Sequence, residues 1–306
     1  MKTLLILIKR NMKLFFKDKG VFFTSLITPL ILLVLYITFL GNVYKNTFND
    51  IIPEIFHSME GYESIINGLV GSQLFSSLLA VSCITVAFSS NMIMVSDKVN
   101  GVLDDIIITP VKKSTLAVSY YIATFLNTFL VCMCAFVACL IYIACIGWYL
   151  TFIDVLLIIL DILILTMFGT ALSSFVNYFL KSQGQISAVG AIVSSCYGFI
   201  CGAYMPISSF GTTLQKVLSF SPGTYGTSLL RNHTMLGPIN ALSELNYQGM
   251  KVPNELITGI KDAVDCNVYF FDNVVREWQM FLILILSVVV ILGSYILINK
   301  FSKKNK

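Results

Sequence analysis

The sequence predicts an all-α protein that crosses a membrane several times. Of its 306 residues, 57% are hydrophobic and only 12% are charged, whereas a soluble domain has about 25% charged residues. The charged residues are collected into short blocks, and the apolar runs between them reach the roughly 20 residues that a helix needs to cross a bilayer. Six such runs occupy residues 21–40, 69–95, 115–146, 155–176, 186–205 and 279–298. We therefore expect six transmembrane helices.

Residues 1–20 predict an amphipathic helix ahead of the first span. Apolar side chains recur at or near spacings of three and four, at Leu5, Ile8, Met12, Phe15 and Phe16. Lysines form a basic row on the same segment, at Lys9, Lys13 and Lys17. We expect such a helix to lie in the inner headgroup layer with its apolar side down. Alternatively, it is only the soluble lead of the transmembrane domain, which occupies residues 21–306.

The distribution of positive charge predicts the orientation. An even number of spans places both termini on one side of the membrane. Basic residues are concentrated at both ends of the chain, at Lys2, Lys9, Arg10, Lys13, Lys17, Lys19, Lys300, Lys303, Lys304 and Lys306. Segments rich in Lys and Arg stay in the cytoplasm. We therefore expect a multi-pass protein of the plasma (cytoplasmic) membrane, surrounded by lipid, with both termini inside.

Cysteine and histidine indicate neither a metal site nor a disulfide framework. Most of the eight cysteines lie in predicted spans, where a thiol behaves as a small apolar group. Cys266 lies in an outer loop, and it either pairs with Cys201 or leaves two free thiols. His57 and His233 lie far apart in outer loops, where we expect them to be solvated. No CxxC motif or His/Cys cluster has the spacing of metal ligands.

Two features inside the spans are candidates for a functional role. Asp161 lies about six residues inside the fourth span, where a carboxylate costs roughly 2.5–3.5 kcal/mol unless it is paired, protonated or hydrated. We expect it to face the protein interior or a wet cavity, with snorkelling to the outer interface as the alternative. In the fifth span small residues repeat every four positions, at Gly190, Ser194, Gly198 and Gly202. Such a stripe suits close packing against a second subunit or the lining of a cavity.

Between the fifth and sixth spans the chain is predicted to stay outside, over residues 206–277. Residues 214–220 and 225–230 are too short to cross a bilayer, and they are separated by Ser221, Pro222 and Gly223. We interpret them as a re-entrant pair of short helices that dips into the outer leaflet and is buried against protein. Residues 232–277 are polar and acidic and are expected to form a small folded cap.

The most informative inner segment is the loop at residues 96–114. Gly101 permits a sharp reversal of the chain, and Pro110 pushes Thr109 out of helical geometry, so we expect a short helix between them. This helix carries an apolar edge and an acidic tip, formed by Leu103, Ile106 and Ile107 and by Asp104 and Asp105. A short helix of this kind suits docking into a groove on a partner protein. An ordinary solvated loop is the alternative.

This inner loop resembles that of the type-2 family of ABC exporter permeases. The family pattern runs from an acidic residue through Gly, Leu and a second acid to Thr-Pro, and it is matched by Asp97, Gly101, Leu103, Asp104, Ile106, Ile107, Thr109 and Pro110. Val99 and Val102 depart from it, where the family often has an acid and a Thr. An outer segment is similar to the family's proline-bounded re-entrant helices, at Met205, Pro206, Ser221, Pro222, Gly223, Thr224, Tyr225, Leu229, Leu230 and Arg231. The second proline that usually precedes the first short helix is absent from residues 208–211.

The resemblance implies the membrane subunit of an ATP-driven exporter, in the branch that handles drugs, haemolysin and lipophilic compounds. It implies a second permease subunit, identical or a paralogue, and separate ABC-type ATPase subunits that bind ATP and Mg²⁺. Coupling to the ATPase is then expected at Gly101, Leu103, Asp104, Asp105, Ile106, Ile107 and Pro110, and the re-entrant turn at Pro206, Pro222 and Tyr225. The chain itself has no GxxxxGK[ST] phosphate-binding motif, so we expect no enzyme activity from it alone. The expected cargo is a small-molecule, peptide or lipid-like amphiphile, and we expect no nucleic-acid partner.

Two other classes of function compete with ATP-driven export. A secondary transporter or channel driven by an ion gradient favours several intramembrane charges and repeated, broken spans, whereas the predicted spans contain one well-embedded acid and no repeat. An intramembrane enzyme needs paired Asp or Ser/His residues within the spans, and the sequence shows no such arrangement. Export driven by a separate ATPase is the function that the sequence predicts best.

Overall fold

A computed structural model shows a chain that is helical apart from two short β-hairpins. It describes residues 2–247, 250–271 and 273–301, so Met1 and the tail lysines Lys303, Lys304 and Lys306 lie outside the described residues. The helices are α1 (Lys2–Lys17), α2 (Lys19–Leu35), α3 (Gly41–Ile51), α4 (Glu54–His57), α5 (Tyr62–Val99), α6 (Val102–Ile108), α7 (Lys113–Ile146), α8 (Phe152–Tyr178), α9 (Gln183–Ile200), α10 (Thr212–Leu218), α11 (Pro222–Glu244), α12 (Asn254–Ala263) and α13 (Glu277–Phe301). The strands are β1 (Asn246–Tyr247), β2 (Met250–Lys251), β3 (Val268–Phe270) and β4 (Asn273–Val275).

The predicted all-α polytopic membrane fold is confirmed. Within the described residues, five helical segments are long and apolar enough to cross a membrane, namely Lys19–Ile51, Tyr62–Val99, Lys113–Ile146, Phe152–Tyr178 and Glu277–Lys300. The remaining predicted run corresponds to α9, an 18-residue helix that begins with Gln183, Gly184 and Gln185. These polar and small residues lower its apolar character, and the helix ends at Ile200 rather than continuing to residue 205. A sixth crossing therefore stays a prediction.

The first spanning segment is longer than the apolar run that predicted it. α2, a π-helical turn at Tyr36–Leu40 and α3 form one continuous segment of 33 residues. Asp18 caps its start, because its side chain accepts a hydrogen bond from the backbone N–H of Val21 at 3.1 Å. At the π turn, a Cβ on Gly41 would lie 2.8 Å from the carbonyl oxygen of Tyr36. The absence of a side chain at residue 41 therefore permits this tight turn.

α5 is the central helix of the molecule. Its 38 residues are buried over most of their length, and it packs against α2, α7, α8, α9 and α11. α8 approaches it closely at Gly169, where a Cβ would lie 2.7 Å from the carbonyl oxygen of Cys83. The inner half of α5 is joined to α8 by polar side chains, since Asn91 Nδ2 donates hydrogen bonds to the hydroxyls of Ser173 and Ser174. Any motion of α5 is therefore shared with most of the bundle.

The outer re-entrant segment differs from its prediction in length. α10 agrees with the first predicted short helix, but α11 is a buried helix of 23 residues that continues past Leu230 to Glu244. Pro222 occupies its first turn, where the missing N–H of proline costs nothing. Pro238 lies inside the helix without ending it. Residues 232–244 therefore belong to α11 rather than to the cap, and whether the pair dips into the membrane stays a prediction.

The cap is smaller than predicted and shares the main hydrophobic core. It contains the β1–β2 hairpin, α12 and the β3–β4 hairpin, in which Val268 pairs with Val275 in antiparallel register. Ile260, Val264 and Cys266 are buried in the same cluster as α5, α8 and α11. Cys201 and Cys266 are both free thiols, as the second of the two sequence alternatives stated. The cap therefore packs as part of the membrane domain rather than as a separate unit.

Candidate functional site

The inner loop folds as a short helix between two backbone reversals. Gly101 has a positive φ of 76°, a conformation that glycine adopts without strain. α6 follows, and Thr109 leaves the helix with extended dihedrals immediately before Pro110. The hydroxyl of Thr109 donates to the carbonyl oxygen of Ile106 at 2.5 Å, which closes the end of the helix. The local geometry is thus the one that the Gly and Thr-Pro positions predicted.

The apolar edge of α6 packs against other helices of the same chain. Leu103, Ile106 and Ile107 are partly buried against an inner cluster formed by Leu7, Met94, Val95, Leu116, Ala117, Tyr120, Ile186 and Tyr295. Three side chains point away from this cluster. They are Ile108, which is 84% exposed, and Asp104 and Asp105 in the first turn. Sequence reasoning missed Ile108, although its place on the face opposite Leu103, Ile106 and Ile107 could have identified it. The surface available to a partner is therefore an isoleucine beside two carboxylates.

A polar network fixes the inner end of α5 beside this loop. Arg10 on α1 donates two hydrogen bonds to the Asp97 carboxylate, at 2.6 and 2.9 Å, and the Tyr120 hydroxyl donates to the same carboxylate at 2.6 Å. The hydrogen bonds to Asp97 raise the pKa of the Arg10 guanidinium. The sequence had offered Arg10 only as one of several basic residues. Asp97 thus joins α1, α5 and α7 four residues before Gly101.

Asp161 is turned inward and paired with a histidine. Its Oδ2 lies 2.6 Å from Nδ1 of His233 on α11, and both side chains are almost fully buried. The other carboxylate oxygen, Oδ1, is buried without a hydrogen-bond partner. The expectation that His233 is solvated was wrong, because residue 233 lies in a buried helix rather than in a loop. Asp154, seven residues earlier on α8, forms a capping box with Thr151 at the start of that helix. His57 also has a partner, since its Nε2 lies 2.9 Å from the carbonyl oxygen of Ile52.

A second buried pair lies two residues earlier on α11. Arg231 Nη1 donates to Asp265 Oδ2 at 3.1 Å, and Nη2 donates to the carbonyl oxygen of Gly202. Asp265 also accepts hydrogen bonds from the backbone N–H groups of Ile207 and Ser208, at 2.5 and 3.0 Å. Sequence reasoning noted Arg231 only as part of a motif and did not identify Asp265. α11 therefore carries two buried basic side chains, each matched by an acid from another element.

The small-residue stripe of α9 faces its own subunit. A Cβ on Gly190 would lie 2.6 Å from Met92, and one on Gly198 would lie 2.4 Å from the ring of Tyr204. Gly202 lies beyond the end of the helix and has a positive φ of 75°, so it does not extend the stripe. The opposite face of α9 is open, with Ile192 and Phe199 exposed. If a second subunit contacts α9, the free side chains and not the glycines meet it.

The turn between α10 and α11, predicted to be re-entrant, is held by side-chain hydroxyls. The Tyr225 hydroxyl donates to the carbonyl oxygen of Ser219 at 2.5 Å, and the Thr224 hydroxyl lies 3.1 Å from that of Leu218. Pro206 precedes a 3₁₀ turn at Ile207–Ser209. Pro222 starts α11 as described above. The proline and tyrosine positions named from the sequence thus lie at the ends of the two short connections around α10.

The family model of the ABC-2 type transporter matches residues 2–234. This range contains α1, the inner loop, the Asp161–His233 pair and most of α11, which is well over half of the 306 residues. No curated protein matches the chain. Among the residues that the structure describes, no group of three His, Cys, Asp or Glu side chains could hold a metal ion.

Proposed function

The chain belongs to the ABC-2 type transporter family and is a membrane permease component of an ABC transporter; on that premise we propose that it exports cargo with energy from a separate ATPase. The observation that carries this proposal is the geometry of α6. This helix leaves Ile108, Asp104 and Asp105 exposed while its other face packs against the long helices. A short helix held in this way suits docking into a groove on a partner.

The contacts around α6 supply a route for motion into the bundle. α6 follows α5 directly, and its apolar edge shares a cluster with residues of α1, α5, α7, α9 and α13. Asp97 on α5 also binds Arg10 on α1 and Tyr120 on α7. A displacement of α6 by an ATPase that closes on ATP and Mg²⁺ would therefore shift the inner ends of several spans together. In this scheme the permease contributes no catalytic group.

We propose that the chain lies in the plasma membrane, with α1 and both termini in the cytoplasm. α9 then supplies the sixth crossing, since 18 residues rise by about 27 Å at 1.5 Å per residue. Its open face includes the small residues Ser195 and Cys196, and small residues let another helix approach closely. We assign this face to a second permease subunit, a copy of this chain or a paralogue, or to the path between the two.

The cargo proposed is an amphiphilic, peptide or drug-like molecule that enters from the inner leaflet or the cytoplasm. The likeness of the inner loop to the drug, haemolysin and lipophilic-compound branch supports this choice. Asp161 on α8 is already paired with His233. Among the described residues, the spans show no row of free charges that would suit a polyanionic cargo. Hydrogen-bonded polar groups and apolar surface are better matched to an amphiphile.

The test is copurification followed by transport. The chain would be expressed with a lone ATP-binding cassette encoded beside its gene, purified through a tag on the permease, and reconstituted in lipid vesicles. We expect a stable complex whose ATP hydrolysis rises with amphiphilic cargo. Absence of any associated ATPase, together with cargo movement driven by an ion gradient alone, would establish the competing function of a secondary transporter.

A further inference from the structure

The outer end of α9 is held by an ion pair that comes from two distant parts of the chain. Arg231 and Asp265 are 0% and 5% exposed. Between them they bind the carbonyl oxygen of Gly202 and the backbone N–H groups of Ile207 and Ser208. These three residues form the turn that directly follows α9. The turn is thus fastened to α11 through Arg231 and to the cap through Asp265.

The turn at Gly202 fits closely around this carboxylate in the closed arrangement. A Cβ on Gly202 would lie 2.9 Å from Asp265 Oδ2, so any side chain at residue 202 would displace the acid. Gly202 also has a positive φ of 75°, which favours glycine. The backbone of the turn and the position of the carboxylate therefore depend on each other.

At its outer end α9 has two other attachments: the Thr224 hydroxyl on α11 donates to the carbonyl oxygen of Ile200 at 3.3 Å, and Tyr197 is buried in the main core. The helix packs mainly on α5, and its opposite face is exposed along its length, from Ser187 to Ile200. A helix held on one side can tilt if the contact at its end is released. We propose that Arg231 and Asp265 form an outer latch, which holds α9 against α11 and opens when cargo leaves. This proposal rests on the proposed function of export.

The surroundings of the pair favour a contact that can open. Arg231 Nε is buried without a hydrogen-bond partner, so the guanidinium is not fully satisfied in the closed arrangement. A partly open cavity of about 320 Å³ borders Asp265 and is lined by Ser208, Gln215 and Tyr269 among others. Separated charges need water to replace their partners, and this cavity can admit it. Asp265 can therefore part from Arg231 and meet water in this cavity.

The thiols of Cys201 and Cys266 provide a direct readout, because each adjoins the latch and each is only 1% exposed. The exposed thiols of the described chain, Cys134, Cys145 and Cys196, would first be changed to Ser. A membrane-impermeant maleimide would then be added outside sealed vesicles that contain the permease. We expect Asp265→Asn to raise the labelling rate of Cys201 and Cys266 at least tenfold. The matched variant Asp262→Asn, three residues away and not bonded to Arg231, should leave the rate unchanged.

Equal labelling of the Asp265→Asn and unchanged proteins would overturn the latch, as would equal acceleration by Asp262→Asn. Should Asp265→Asn fail to fold, labelling of the unchanged latch during ATP-driven export decides the question. We expect faster labelling of Cys266 during export than at rest, and a resting rate throughout measured export would refute the proposal. Failure of the proposed function would look different, since no ATPase would copurify while the labelling of the Asp265→Asn variant could still be read.

Discussion

Arg10 on α1 donates two hydrogen bonds to Asp97 at the inner end of α5, at 2.6 and 2.9 Å. The two residues are 87 positions apart in sequence, and Asp97 is the first acid of the inner-loop pattern. A helix predicted to lie on the inner membrane surface is thereby fixed to the base of the central helix. We therefore predict that α1 takes part in coupling as well as in anchoring to the membrane surface.

Replacement of Arg10 should weaken both stability and coupling. Hydrogen bonds to charged groups contribute about 1.5–3 kcal/mol, and we expect about 1–2 kcal/mol here because the Arg10 side chain is 31% exposed. In Arg10→Ala, Asp97 keeps the hydrogen bond from the Tyr120 hydroxyl but loses both bonds from Arg10. The cargo exported per ATP hydrolysed should then fall severalfold. Thermal unfolding and transport in vesicles measure the two effects. Lys9→Ala, which removes a neighbouring exposed charge, is the control. If Arg10→Ala exports a normal amount of cargo per ATP hydrolysed, α1 serves only as a membrane anchor.

The exposed tip of α6 should decide the affinity for the ATPase. Burying an isoleucine is worth roughly 1.5–3 kcal/mol, so Ile108→Asp should weaken binding of the ATPase at least tenfold. Ile108 touches little of its own chain, because it is 84% exposed, and the variant should insert and fold normally. Ile108→Val is the matched control and should bind almost as well. Pull-down of the ATPase, with permease insertion measured in parallel, gives the result.

The two acids beside Ile108 should affect orientation more than strength. Rim charges are screened by solvent and ions, so reversal of Asp104 and Asp105 to Lys should lower coupling moderately without abolishing association. In contrast, Ile106→Asp should abolish association with the ATPase. Because Ile106 is partly buried in the inner cluster, insertion of this variant must be checked first. If the double reversal and Ile108→Asp both retain normal binding and export, α6 is an ordinary solvated helix.

Replacement of Asp161 by Asn should separate the effect of its charge from the effect of its packing. In Asp161→Asn the amide oxygen can still accept a hydrogen bond from Nδ1 of His233, so we expect a loss of about 1 kcal/mol, the difference between charged and neutral hydrogen bonds. Export should fall by a larger factor if the charge takes part in transport. Asp154→Asn on the same helix is the control, since it leaves the N-cap Thr151 in place and weakens only the capping box, at a cost of up to about 1 kcal/mol. Unchanged export and cargo-stimulated ATP hydrolysis in Asp161→Asn would restrict Asp161 to a structural role.

The sequence predicted those features that depend on neighbouring residues. Apolar runs, the Gly101 reversal and the stop before Pro110 are local, and the structure contains all of them. The hydropathy pattern did not predict α11 as a long buried helix. Its Arg231 and His233 are paired with acids that lie 34 and 72 positions away in the sequence. A buried helix with internally paired charges looks like a polar loop when read alone. The same cause hid Asp265, whose function depends on a turn that precedes α10.

The open face of α9 should meet a second permease subunit, and the chain carries a natural probe of this contact. Cys196 lies exposed on that face, while Cys134 and Cys145 are exposed on α7. If two copies meet through α9, a short bifunctional maleimide should link them through Cys196 in native membranes. Gly198→Leu cannot test this contact cleanly, because the new side chain would collide with Tyr204 in the same subunit.

The matched variants assign the cross-link to one helix. Cys196→Ser should remove the linked dimer, whereas Cys134→Ser and Cys145→Ser should leave its yield unchanged. Loss of the dimer with Cys134→Ser instead would place the subunit contact on α7. Absence of any linked dimer, with Cys196 still open to a single maleimide, would mean that lipid or a paralogue without a facing thiol covers α9. Coexpression with a tagged paralogue carrying one introduced cysteine then separates those two cases, because only a paralogue yields a linked heterodimer.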